Sequence, residues 1–192
     1  WMLIIGALCF GVPASRRQIA GVLLSVAGVV LVLSRGSWEQ LLALRLVPGD
    51  LYMVAATISW SFYSWLLVRT SEPRELRGDW AAFLMAQMIF GLGWSGAFAG
   101  VEWSLGATQI TWGWPLAAGL AFIAVGPAIL AYRFWGVAAQ RAGPVVGGFF
   151  INLTPLFAAV LSTVFLGEAP HLYHALAFAL IVGGIVVSSR RA

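Results

Sequence analysis

Between Val145 and Leu166 no side chain carries a charge. An apolar run of roughly 20 residues is what an α-helix needs to cross the ~30 Å hydrocarbon core of a bilayer. The segment from Pro144 to Glu168 therefore reads as a membrane helix. Near its middle stand Asn152, Thr154 and Pro155. Polar side chains at that depth are costly unless they face protein or a watery cavity, and proline lacks an N–H and clashes with the preceding turn. The helix is expected to bend at Pro155, and the carbonyl freed by the bend can serve Asn152 as a partner. The whole chain follows suit, with 61% hydrophobic and 9% charged residues and a mean hydropathy of +0.92, where a soluble domain carries about a quarter charged residues. The fold class is all-α integral membrane.

Residues 1 to 11 read as the tail of one membrane helix, followed by a turn from Val12 to Arg17. Residues 18 to 34 form a span that is apolar on every face, as expected of a peripheral helix. Arg35 to Pro48 is too short and too charged to span, but its leucines beside Trp38 suit the interface. The span from Gly49 to Val68 is richer in polar groups, among them Tyr63, and its Thr57, Ser61 and Ser64 share one helical face. Such hydroxyls either bond back to their own helix or line a cavity. Trp80 to Gly100 is the next span. The run from Trp114 to Ala139 contains Gly126 and Pro127, where a kink is expected. Arg133 precedes the polar turn at Gln140 by about seven residues, roughly 10 Å of helix; it can snorkel to that surface or face inward. A last span runs from Leu172 to Ser189.

The basic residues are all arginine and account for the sequence pI near 10.0. When the connections are assigned alternately to the two sides of the membrane, Arg16, Arg17, Arg69, Arg74, Arg77, Arg141, Arg190 and Arg191 fall on one side and only Arg35 and Arg45 on the other. This asymmetry is a positive-inside pattern that puts the C-terminus in the cytoplasm. The basic balance is thus topological, and no nucleic-acid partner is expected. Cys9 is the sole cysteine, so no disulfide framework or zinc site is available. Glu168, His171 and His174 form a weak metal set, with a solvated turn as the plainer reading. The spacing Gly91 to Gly96 matches a dinucleotide fingerprint in letters only, since it lies in a membrane helix without a preceding strand. No nucleophile and base fall together, so no enzyme, metal or cofactor is expected.

Residues 8 to 35 align with residues 164 to 191, placing Gly11 on Gly167 and Gly28 on Gly184. Both copies read helix end, glycine turn, apolar helix. The first turn carries Arg16 and Arg17, the second Glu168 and two histidines, so the copies face opposite ways. Inverted repeats of this kind build transporters with a central site. Counted back by the same offset, the first copy is expected to begin about a hundred residues before Trp1.

These residues resemble the drug/metabolite transporter superfamily, specifically its EamA-type members. The likeness is carried by Tyr132 and Trp135, then Asn-Leu-Thr-Pro-Leu-Phe-Ala-Ala from Asn152, then Leu166-Gly167-Glu168. The resemblance implies a ten-helix bundle of two inverted five-helix repeats, of which about six and a half helices are present: residues 1–35 close the first repeat, 36–48 form an interfacial linker, and 49–192 form the second repeat. It implies export or exchange of small metabolites or drugs by alternating access, in a bacterial inner (plasma) membrane. The expected cavity residues are Tyr63, Tyr132, Arg133, Trp135, Phe149, Asn152 and Pro155, with hinges at Pro127 and Pro155. The expected partners are the lipid bilayer, a small-molecule substrate, and either a second copy or an N-terminal half. A non-transporting scaffold or partial subunit is the alternative.

Overall fold

The computed structural model describes residues 1–69, 79–106, 110–167, 169 and 171–189. Helix α1 covers Met2–Cys9, α2 Arg16–Leu33, α3 Trp38–Leu42, α4 Pro48–Arg69 and α5 Trp80–Ser104. Helix α6 covers Trp114–Ile123 and runs through a wide π-helical stretch, Ala124–Ala131, into α7, Tyr132–Ala142; α8 is Pro144–Ile151, α9 Thr154–Leu166 and α10 Leu172–Ser189. Among the described residues there is no strand. Among these residues six helical runs are long and apolar enough to cross a membrane: α2, α4, α5, Trp114–Ala142, Pro144–Leu166 and α10. Arg74, Arg77, Glu168, Arg190 and Arg191, which entered the topology and metal readings, lie outside the described residues.

Local sequence explains where the helices start and stop. Ser15 accepts the Gln18 N–H at 3.2 Å while Gln18 Oε1 accepts the Ser15 N–H at 2.8 Å, a reciprocal cap that satisfies two free donors at the start of α2. Asp79 accepts from the Ala81 and Ala82 N–H groups, each at 3.1 Å, and so begins α5. Gly11 and Gly167, matched by the internal alignment, both adopt left-handed backbone with φ of 65° and 71°, which glycine enters without a Cβ clash. The equivalence read from letters is thus also a conformational one.

The chain forms two units, Trp1–Arg69 with Ala138–Ala192, and Thr70–Val137. In the first, the closest helix pair is α2 with α10. A Cβ added at Gly28 would stand 2.7 Å from Ile181 Cγ1 and 2.9 Å from the Ala177 carbonyl, and one at Gly21 would stand 2.6 Å from the Gly184 carbonyl. Contacts move from Gly184 toward Ala177 as the chain advances from Gly21 to Gly28, so the helices run antiparallel. The spacing of Gly28 and Gly184 maps this set onto itself: Gly28 against Ala177 is the image of Gly184 against Gly21. Two inverted copies therefore meet across a local pseudo-twofold axis. Hydrophobicity, which reads both helices as apolar on every face, does not report side-chain size. Gly21, Ser25 and Gly28 form a buried stripe that α10 fills. Below it, Phe149, Leu156, Ala177, Ile181 and Ile185 form the core.

Helix α1 is tied to α4 by Trp65, whose indole N–H donates to the Met2 carbonyl at 2.8 Å in a buried position. Phe10 stacks on the same indole with ring centroids 5.4 Å apart, and Gly6 lies beneath the ring, where a Cβ would collide.

In the second unit, Pro127 cannot donate to the Ile123 carbonyl, and the backbone responds by widening into the π-helical stretch. The expected kink thus takes the form of a wide turn. Gly96 and Gly100 on α5 have no neighbour within 4 Å of an added Cβ among the described residues.

The α2–α10 crossing gives a paired test. Gly184→Ala forces Cβ against the Gly21 carbonyl and Ser25 Oγ and is expected to cost about 1–3 kcal/mol as overpacking. Gly183→Ala, with open space around it, is expected to be neutral or to stabilise by up to ~1 kcal/mol through helix propensity. Thermal unfolding in detergent compares the two. Ser25→Ala is the second test: the Ser25 hydroxyl is buried with no hydrogen-bond partner among the described residues, so its removal is expected to leave the unfolding midpoint unchanged or raise it.

Candidate functional site

The segment Pro144–Leu166 is two helices meeting at a break. Pro155 has no N–H for the Ile151 carbonyl, so the regular ladder fails there. The chain tightens instead: the Asn152 N–H donates to the Phe149 carbonyl at 3.2 Å and the Leu153 N–H to that of Phe150 at 3.1 Å. Leu153 then accepts from the Leu156 and Phe157 N–H groups, each at 3.0 Å, and α9 begins. Pro155 lies in the first turn of α9, where a missing donor leaves nothing unsatisfied. The regular ladder thus gives way at two residues, Asn152 and Leu153, to a tighter turn.

Asn152 stands at this break, half-buried, on the wall of a cleft of about 590 Å³ bounded by α1, α2, α4 and α8. Its side-chain amide has no hydrogen-bond partner among the described residues. Gly148, one turn earlier, lies against Met2, whose Sδ would be 2.6 Å from an added Cβ, so α1 can approach α8 only because this position has no side chain. From α4, Thr57, Trp60 and Ser61 reach the same cleft. The Thr57 hydroxyl donates to the Val54 carbonyl and that of Ser61 to the Thr57 carbonyl, both at 2.8 Å. All three hydroxyls of this face, Thr57, Ser61 and Ser64, thus bond back into their own helix, and two of the residues, Thr57 and Ser61, also line the cleft. No charged side chain is among the lining residues.

Of the residues expected at a cavity, Phe149 and Asn152 both lie on this wall. Phe149 is only 4% exposed and belongs mainly to the core. Tyr63 reaches the cleft indirectly, packing its ring 5.3 Å from that of Trp60. Pro155 sets the break and does not line the cleft. Tyr132, Arg133 and Trp135 lie in the other unit, where the Arg133 guanidinium sits over the indole of Trp80, 4.3 Å from the ring centroid. In the turn before α10, the His171 N–H donates to His174 Nδ1 at 3.1 Å, so one of the two imidazoles serves as a helix cap. Among the described residues there is no group of three metal-ligating side chains.

Trp60 and Trp65 were not singled out from sequence. The signal for Trp60 is its spacing: Trp60, Tyr63 and Ser64 fall at i, i+3 and i+4 on one face of an otherwise apolar helix. Trp65 carries no local signal, because its partner Met2 is 63 residues away.

Residues 47–190 match the EamA-like transporter family. Among curated relatives, an uncharacterized transporter of Archaeoglobus fulgidus is 26% identical over 93% of this chain and 59% of its own length. The uncharacterized transporter YyaM of Bacillus subtilis is 24% identical over 91% of this chain and 55% of its own length. The aromatic amino acid exporter YddG of Ancylobacter novellus is 28% identical over 98% of this chain and 63% of its own length. The chain thus spans a little over half the length of these relatives. No solved structure is a significant match. Six apolar spans, an inverted helix pair and a family match over most of the sequence lead to one assignment: this is a multi-pass membrane protein belonging to the EamA-like transporter family.

Proposed function

We propose that this protein moves a small metabolite or drug across the membrane by alternating access, with the cleft at the α8–α9 break as part of the substrate path. The observation that carries the reading is the Asn152 amide, half-buried on an apolar wall where the helix ladder is open. A polar group is retained at such a place when a polar guest completes its bonding. Trp60 offers flat apolar surface on the same cleft. The relative from Ancylobacter novellus is named an exporter of aromatic amino acids, and a molecule with an aromatic body and a polar end fits these walls. The proposed path would be completed by the other repeat's helices, supplied as an N-terminal half or by a second copy. In this reading the protein lies in a bacterial inner membrane with its C-terminus in the cytoplasm, as the arginine asymmetry favours. The break at Pro155 is the proposed hinge, and the wide turn at Pro127 is a second in the other unit.

Transport of radiolabelled aromatic amino acids into proteoliposomes tests this. Asn152→Leu is expected to lower the transport rate about tenfold, the loss of one or two net hydrogen bonds, with little change in unfolding midpoint. Equal rates for the two proteins would remove the cleft from the substrate path, and binding without flux would favour a scaffold or partial subunit. Pro155→Ala lets residue 155 bond to the Ile151 carbonyl and straightens the helix. It is expected to raise the midpoint while slowing flux; unchanged flux would exclude the hinge.

A further inference from the structure

We infer that Arg133 and Trp80 form a binding site for the phosphate of an anionic membrane lipid. The inference stands on the second unit alone and does not depend on the transport reading. Arg133 lies within an apolar helical run, Trp114–Ala142, and a guanidinium stays charged at any depth. Such a charge needs water, a counter-ion or a π face. Here the guanidinium carbon stands 4.3 Å from the centroid of the Trp80 ring, a cation–π contact, and among the described residues Arg133 has no ion pair. The nearby acid, Asp79, already accepts from the Ala81 and Ala82 N–H groups at the start of α5.

The geometry of that contact specifies the ligand. A guanidinium whose carbon lies over the indole meets the ring on one side and keeps N–H donors at its edge for a further partner. That fork matches two oxygens of a phosphate or carboxylate. Trp80 is the first residue of α5 and 42% exposed, and tryptophan at a helix end marks the headgroup level of a bilayer. The side chain of Arg133 therefore reaches back from within the span to the level where lipid phosphates lie. The same connection, Arg69 to Asp79, falls by sequence on the arginine-rich side of the membrane, whose leaflet attracts basic residues through its anionic lipids. A soluble carboxylate or phosphate shares the chemistry, but it lacks acyl chains, for which the largely exposed apolar surface of α5 offers contact.

The test uses the full-length protein in an uncharged maltoside detergent, titrated with phosphatidylglycerol while its thermal unfolding midpoint is followed. Arg133→Gln is expected to raise the half-saturating lipid concentration about tenfold, as loss of a charge-assisted hydrogen bond does. Arg133→Lys keeps the charge without the fork and should fall between, as should Trp80→Leu; these two carry the test if Arg133→Gln does not fold. Arg45→Gln removes an equal charge from an exposed site and is expected to leave the titration unchanged. The inference fails if Arg133→Gln, or in its place both Arg133→Lys and Trp80→Leu, titrate like the unmodified protein. It fails equally if Arg45→Gln weakens the response as much, or if inorganic phosphate alone reproduces the lipid shift.

Discussion

A helix that crosses a bilayer must satisfy its backbone from within, because hydrocarbon supplies no donors or acceptors. At Pro155 this chain cannot do so, and much of the first unit is arranged around that failure. The ladder breaks for one turn, α9 restarts with the same proline in its first turn, and the polar residue at the break, Asn152, is turned to the cleft wall. At Pro127 the same deficit is met differently. The helix widens over Ala124–Ala131 and continues into α7 without a gap. No polar side chain lies within that stretch, so an open turn there would leave its carbonyls without any local partner. A break is tolerated at Asn152 because polar groups and a cleft are at hand.

Holding the broken helix requires a rigid neighbour, and α10 provides it by packing against both α8 and α2. The α2–α10 crossing is close because Gly21, Gly28 and Gly184 keep side chains out of the way, so dispersion contacts replace a hydrophobic force that lipid does not supply between helices. The internal alignment anticipated this pair in outline, since it matched Gly28 to Gly184 and Gly11 to Gly167. It did not anticipate that the two matched helices would be each other's closest partners. Hydropathy separates apolar from polar residues and is blind to the difference between glycine and leucine; the stripe is visible only when residue size is read along the helix.

Legibility of the candidate site divides along a similar line. The break, Asn152 and Phe149 could be read from sequence because proline chemistry and a buried amide are local facts. Thr57 and Ser61 could be read as one face because helical spacing is local too. The Trp65 to Met2 hydrogen bond could not, since it joins residues 63 apart and gives neither of them a pattern. Arg133 stood between two readings in sequence, because a long cationic side chain can point either way along its helix. The position of Trp80 places its head at the start of α5, a fact that depends on how two helices lie together.

The chemistry of the cleft also bounds how tightly it can hold a guest. Thr57 and Ser61 spend their protons on their own helix, no charged side chain lines the wall, and the Asn152 amide is the principal neutral group that can both donate and accept. Most of the favourable free energy must then come from apolar contact. Burying roughly 200 Å² of an aromatic body contributes about 5 kcal/mol, and one or two neutral hydrogen bonds add about 1 kcal/mol each. Immobilising the guest costs about 4 kcal/mol or more, so this wall by itself supports an affinity no tighter than the millimolar range. Weak, largely non-directional binding of that kind suits a site that must release what it holds, and it leaves tighter discrimination to whatever surface closes the cleft from the other side.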